Sequence, residues 1–202
     1  MSGTGPSASD ETLATARGCR VGLREWGVVC AAVAAGRQTV LLRKGGLADR
    51  GGRFEAEHDA FWLLPSTFHP DRDAIRDDAA DLWELARGLR VGDRVTLPAF
   101  VRVLAAGHLA DLDRLGGLAA FHVLTDAMVR TRFDYRRPGL TVLAVEAFVP
   151  DPLPAMTESD ATGGCRSWVP FDGDATFAPP PRLARVGADP EAAAAAVLAA
   201  TS

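Results

Sequence analysis

The sequence predicts an α+β fold, a mixed sheet or small β-barrel packed with helices. Three observations carry that expectation. Leu140 to Val149 is a mostly apolar run after the Pro138-Gly139 turn, the pattern of a strand buried on both faces. Asp73 to Arg87 places Ile75, Ala79, Leu82, Trp83 and Leu85 on one broad face with acidic residues elsewhere, which is the pattern of an amphipathic helix. The strand-like runs do not alternate regularly with helices, and this favours a mixed sheet over a doubly wound one.

Taken in order, residues 1–18 are rich in Gly, Ser, Thr and Ala without apolar periodicity, and predict a disordered leader. Leu23, Trp26, Cys30 and Val33 recur at helical spacing and predict a helix that Gly36 ends. Gln38 to Arg43 is a β-type run that stops at Gly45-Gly46. From Arg53 to Leu64, alternating Phe54, Ala56, His58 and Ala60 followed by Phe61-Trp62-Leu63-Leu64 predict a strand or hairpin, closed by Pro65-Ser66-Thr67. Gly92-Asp93 turns into the β-type segments Arg94 to Leu97 and Phe100 to Ala105, and Asp111 caps a helical stretch reaching about Arg132. Beyond Pro179-Pro180-Pro181, Asp189-Pro190-Glu191 opens an Ala-rich helix to about Ala200, expected to be peripheral because it has few large apolar residues. The organisation expected is a leader over 1–18, one globular domain over 19–172, and a Pro/Ala-rich tail over 173–202.

Composition narrows the class. A chain of 202 residues with 48% hydrophobic content can bury a sizeable core. A net charge of -4 is not that of a protein coated in positive charge, so any nucleic-acid contact requires a local basic patch. Cys19, Cys30 and Cys165 are odd in number and far apart, which suggests neither a zinc knuckle nor a disulfide framework. No basic segment followed by an apolar run opens the chain, and no window approaches the roughly 18 apolar residues of a membrane span. The expected setting is the cytoplasm, with reduced thiols.

Five segments in one order resemble a known family. They are Glu25-Trp26, Leu41-Leu42-Arg43-Lys44-Gly45-Gly46, Phe54-Glu55-Ala56-Glu57-His58, Leu64-Pro65-Ser66 with His69, and Gly164-Cys165-Arg166-Ser167-Trp168. Together, over roughly residues 20–170, they resemble the uncharacterised bacterial family called domain of unknown function 1802. A more remote likeness joins Ala34 to Arg43, Val91-Gly92-Asp93-Arg94-Val95, the Asp111-Leu112 segment and the strand through Val145 to the ASCH branch of PUA-like domains. That likeness implies a small PUA-like β-barrel, a fold whose members commonly bind RNA or modified nucleotides and in a few cases act as hydrolases. The chain departs from the ASCH pattern at Leu42, where Glu is usual, and in the long insertion from Gly45 to Arg87.

The candidate chemistry centres on Lys44, the only lysine in the chain. Its ammonium, beside Arg43 and ahead of Gly45 and Gly46, can meet a phosphate as a point charge while the glycines let backbone amides approach a ligand. A solvated turn at a strand end explains the same residues. Glu55, Glu57 and His58 lie in a β-type run whose alternation puts both carboxylates on one face, where they could hold a divalent cation or act as an acid–base pair. An exposed charged strand face is the blander account. His58 with His69 is a ligand pair one residue short of an ordinary catalytic zinc site. Arg130, Arg132, Arg136 and Arg137 around Phe133 and Tyr135 form the densest basic and aromatic patch, suited to phosphates and unstacked bases, or equally a helix C-terminus that favours cations. Trp62 or Trp168 could stack on a base, or anchor a core. Cys165 has no identifiable His-Asp pairing that would make it a nucleophile.

The function expected is therefore a binding module for nucleic acid or a modified nucleotide, with Arg43, Lys44, Gly45, Gly46, His69, Arg130, Arg132 and Trp168 contacting the ligand. The alternative is a metal-dependent nuclease or nucleotide hydrolase. In it Glu25, Glu55 and Glu57 hold the cation, and Lys44, Glu57 and His58 supply the chemistry. A structural adaptor without a small ligand is the third reading. None of the three expects a membrane.

Overall fold

The computed structural model describes residues 7–45, 54–66, 71–158, 166–171, 177–187 and 189–202. In chain order its elements are α1 (Asp10–Gly18), β1 (Val21–Glu25), α2 (Gly27–Ala34), β2 (Val40–Arg43), β3 (Ala60–Pro65), α3 (Leu82–Gly88), β4 (Arg90–Val91), β5 (Arg94–Thr96) and β6 (Phe100–Leu109). There follow α4 (Asp126–Asp134), β7 (Leu140–Asp151), β8 (Ala155–Thr157), β9 (Trp168–Pro170), β10 (Arg182–Val186) and α5 (Pro190–Thr201). The expected α+β fold with a mixed sheet is present.

β7 is the spine of the main sheet, whose order is β10-β7-β6-β3-β1-β9 with β2 also on β7. Its Val, Leu, Ala and Phe side chains are buried almost throughout, as the apolar run foretells. β6 pairs along one side of it, with a register shift between Val103 and Ala105. The other side is shared: β2 takes Thr141 to Ala144 and β10 takes Ala147 to Asp151, all antiparallel. β1 and β3 form the one parallel pair among the described strands. The order places β7, β6 and β3 between β2 and β1, yet Arg43 of β2 donates to the Arg24 carbonyl of β1 at 3.0 Å. The sheet is thus curled, and the C-terminal ends of β1 and β2 meet. A smaller sheet, β4-β5-β8, accompanies it.

Apolar side chains divide into two cores. The larger gathers Leu23, Leu41, Val101, Val142 and Leu143 with Val28 to Val33 of α2 and with Ala193 and Val197 of α5. The second joins Trp62, Leu64, Phe100, Phe148 and Phe171 with Ala16 of α1.

Several expectations are corrected. The helix read from Leu23 to Val33 begins only at Gly27, because Gly22 to Glu25 pair with Trp62 to Pro65 as strands. A side chain at Gly22 would come within 3.2 Å of Leu64 and Phe171, so the strand packs tightly there. The strand expected from Arg53 begins at Ala60, and residues 55–58 run without regular structure. The Asp73–Arg87 helix is two 3-10 turns followed by α3, and the helix expected from Asp111 is a 3-10 stretch, Leu112–Phe121, followed by α4 capped by Thr125. Residues 10–18 are α1 and not a disordered leader: Ser9 caps the helix and Ala16 is fully buried. α5 is not peripheral either. Its small residues allow close approach, and a Cβ at Gly107 of β6 would lie 2.2 Å from Thr201 Oγ1. Asp189 accepts from the Ala192 amide at 2.9 Å, and Pro190 occupies the first turn, as the sequence suggests.

Candidate ligand-binding cavity

The curl of the sheet brings three strand ends to one place. β1 ends in Glu25, β2 in Arg43, and β3 is followed by Ser66, whose amide donates to the Glu25 carbonyl at 2.7 Å. α4 lies across these ends and presents Met128, Thr131 and Arg132, and its C-cap residue Tyr135 continues their i, i+3, i+4, i+7 spacing along one face. Between them opens a cavity of about 560 Å³, which also has Arg24, Trp26, Lys44, Asp71, Arg166 and Ser167 in its walls. That volume suits a ligand of drug or nucleotide size.

At the base of the cavity, the Glu25 carboxylate is buried between two guanidiniums. Arg43 donates to Oε2 at 2.7 Å, Arg132 approaches Oε1 at 3.5 Å, and the Trp26 amide donates to Oε1 at 2.7 Å. Burial pushes the Glu25 pKa up, but Arg43, Arg132 and the Trp26 amide together outweigh it and hold the carboxyl below its ordinary value. One carboxylate against two guanidiniums leaves the cluster cationic. Arg132 also lies over the Trp26 ring, 3.5 Å from its centroid, and donates to the Leu42 carbonyl at 2.6 Å. Arg43 stands over Phe54 and donates to Ser167 Oγ at 3.3 Å. Each guanidinium is therefore fixed by several partners, which makes the positive charge a rigid part of the wall.

Lys44 behaves differently from a surface cation. Its ammonium donates to the carbonyls of Phe133 at 2.8 Å and Gly139 at 2.7 Å, and to that of Arg137. Partial burial lowers its pKa, with Asp134 opposing the shift. Gly45 belongs to a second, small hollow of about 60 Å³ behind Lys44.

A family model described as Domain of unknown function (DUF1802) matches residues 22–185. The chain belongs to the DUF1802 family. Among curated proteins, none matches the sequence. Solved structures similar to this DUF1802 chain include the ASCH protein from Zymomonas mobilis, at 12% identity and a TM-score of 0.38 over 90% of this chain and 95% of that one. A mutant of the same Zymomonas mobilis protein matches at 14% identity and a TM-score of 0.41, over 90% and 96%.

The DUF1802 structure gathers some of the expected residues and separates others. Glu25, Arg43, Lys44 and Arg132 share the cavity. Arg130 is exposed and lies outside the lining face of α4, being two residues from both Met128 and Arg132. Glu55 and Glu57 are exposed and line neither hollow. Among the described residues no group of three or more His, Cys, Asp or Glu side chains is placed to hold a metal ion, so Glu25, Glu55 and Glu57 do not assemble as a cation site. His58 packs edge-on against Trp168 at 4.8 Å. Trp168 also meets Phe54 and Phe61 and donates to the Glu55 carbonyl at 3.1 Å, so it anchors the 54–58 segment rather than the cavity. Trp62 is fully buried and offers no face to a ligand. Gly46, His69 and Cys165 lie outside the described residues.

Sequence reasoning missed Trp26, Met128 and Thr131 as site residues, although Tyr135 was already singled out within the basic and aromatic patch. Met128 and Thr131 carried a usable signal, because with Arg132 and Tyr135 they keep the spacing of one helical face. Trp26 carried none, because its helical spacing with Leu23 and Cys30 pointed to a core instead.

Proposed function

We infer that this domain binds a nucleotide or a nucleic-acid segment in the cavity at the ends of β1, β2 and β3. The observation that carries this reading is the composition of the walls. Five cationic side chains, Arg24, Arg43, Lys44, Arg132 and Arg166, face two acidic ones, Glu25 and Asp71. Trp26 and Tyr135 add aromatic surface, and the Tyr135 side chain is half exposed. An anion with a flat ring matches that combination: fixed cations attract phosphate, and aromatic faces stack with a base. Arg166 is exposed and has no ion-pair partner among the described residues, so it is the guanidinium best placed to meet an incoming phosphate.

Filter binding with labelled single-stranded RNA and DNA oligomers and with mononucleotides, across a salt series, tests the reading. Log affinity should fall linearly with log salt, and Arg166→Ala should flatten that slope by about 0.7 for a single strand. Absence of binding to every probe at low salt would overturn it.

A further inference from the structure

We propose that Lys44 is a positioning residue that fixes the α4 wall of the cavity, not a contact to the ligand's phosphate. The role rests on the cavity being the binding site, as inferred above.

An ammonium has three N–H donors, and all three of Lys44 have acceptors inside the protein: the carbonyls of Phe133, Arg137 and Gly139. Phe133 belongs to the last turn of α4, where carbonyls lack intrahelical partners and carry the negative end of the helix dipole. Arg137 and Gly139 belong to the turn leading into β7. One side chain from the end of β2 thus closes the C-terminus of α4 and the turn that follows.

The attachment is reciprocal. Lys44, next to β2, donates to a carbonyl of α4, while Arg132 of α4 donates to the Leu42 carbonyl of β2. Lys44 stands two residues from Arg132's acceptor Leu42, and Arg132 one residue from Lys44's acceptor Phe133, so the two cations hold helix and strand together from both sides. Since Arg132 and Tyr135 line the cavity from α4, the separation of that wall from Trp26 and Ser66 depends on this clasp. A guanidinium cannot replace the ammonium, because its planar fork cannot aim three donors from one nitrogen at three convergent carbonyls.

The test compares wild type, Lys44→Met and Lys44→Arg in two measurements. Amide hydrogen exchange over residues 129–139 should quicken by about tenfold or more in both variants, with the β6–β7 pairing unchanged. Affinity for a single-stranded oligouridine should fall in both variants while the salt slope stays at the wild-type value. A phosphate contact predicts instead that Lys44→Arg binds normally and that Lys44→Met loses about 0.7 from the slope. Unchanged exchange in both variants, or that slope pattern, would overturn the role. If wild type binds no oligouridine, the inferred function loses support while the exchange measurement still decides whether Lys44 holds α4. Should Lys44→Met fail to fold, Lys44→Arg alone separates the alternatives.

Discussion

Arg132 lies 3.5 Å above the ring of Trp26 while its guanidinium also approaches Glu25, so a helix residue, an aromatic wall and a buried carboxylate are joined in one contact. The cluster therefore serves stability and the cavity together, and the expected effects of substitution separate the two.

Glu25→Gln removes the charge that balances Arg43 and Arg132 while keeping the side chain's shape. Both guanidiniums are nearly buried and would be left without a counter-ion. Breaking one partner out of a buried ion pair costs about 3–5 kcal/mol. Urea denaturation should show a loss of that order, and a loss below about 1 kcal/mol, the range of exposed pairs, would mean that water reaches the cluster.

Tyr135→Ala should weaken oligonucleotide binding with little effect on stability, since the ring is half exposed. Stacking of one base on an aromatic ring contributes about 1–3 kcal/mol, so affinity should drop by roughly 5- to 150-fold. Arg130→Ala, on the outward side of the same helix, should leave stacking intact. Titrations of the two variants against wild type make the comparison.

His122 predicts a pH dependence of stability. Burial, with Arg76 nearby, lowers its pKa from 6.5 to about 4, so the folded protein keeps the ring neutral. Above pH 6.5 the ring is neutral in both states and contributes no slope. Between pH 6.5 and about 4 the unfolded chain binds a proton that the folded chain refuses, so stability falls as pH falls. At 1.36 kcal/mol per unit the total is about 3 kcal/mol. Denaturant melts of wild type and His122→Phe should diverge across that window, and parallel curves would contradict the account.

Gly107→Ala should destabilise the protein although alanine suits a strand better than glycine. The new methyl would meet Thr201 Cβ at 2.5 Å, a contact that requires α5 to shift. Overpacking of this kind costs about 1–3 kcal/mol. Thr201→Gly in the same chain should recover much of the loss, and thermal melts of the single and double variants read it directly.

Much of the sheet was legible in the sequence because β7, β2 and β6 are continuous apolar or β-branched runs bounded by turns. β1 was not, since Leu23, Trp26, Cys30 and Val33 happen to keep helical spacing across a strand–helix junction at Trp26. α1 and α5 were undervalued because their burial comes through Ala16, Ala193 and Ala200, whose small side chains give little periodic signal. At the site, the singular character of Lys44 was visible but its acceptors were not: they are backbone carbonyls about ninety residues away, and carbonyls have no sequence signature. The Glu55–His58 expectation depended on strand alternation, which vanishes once Trp168 and Thr141 capture the segment's carbonyls in an irregular path.

The division of one flank of β7 between β2 and β10 has a consequence for self-association. The two short strands meet where Gly36 and Gly187 abut, so closely that a Cβ on Gly36 would lie 2.7 Å from the Gly187 nitrogen. The Val145 amide between them is satisfied by the Thr39 carbonyl at 2.9 Å. A long, apolar strand with either half of that flank uncovered would offer bare N–H and C=O groups to another molecule, the template from which amyloid-like stacking grows. The glycine seam lets two strands shield what one would otherwise have to span.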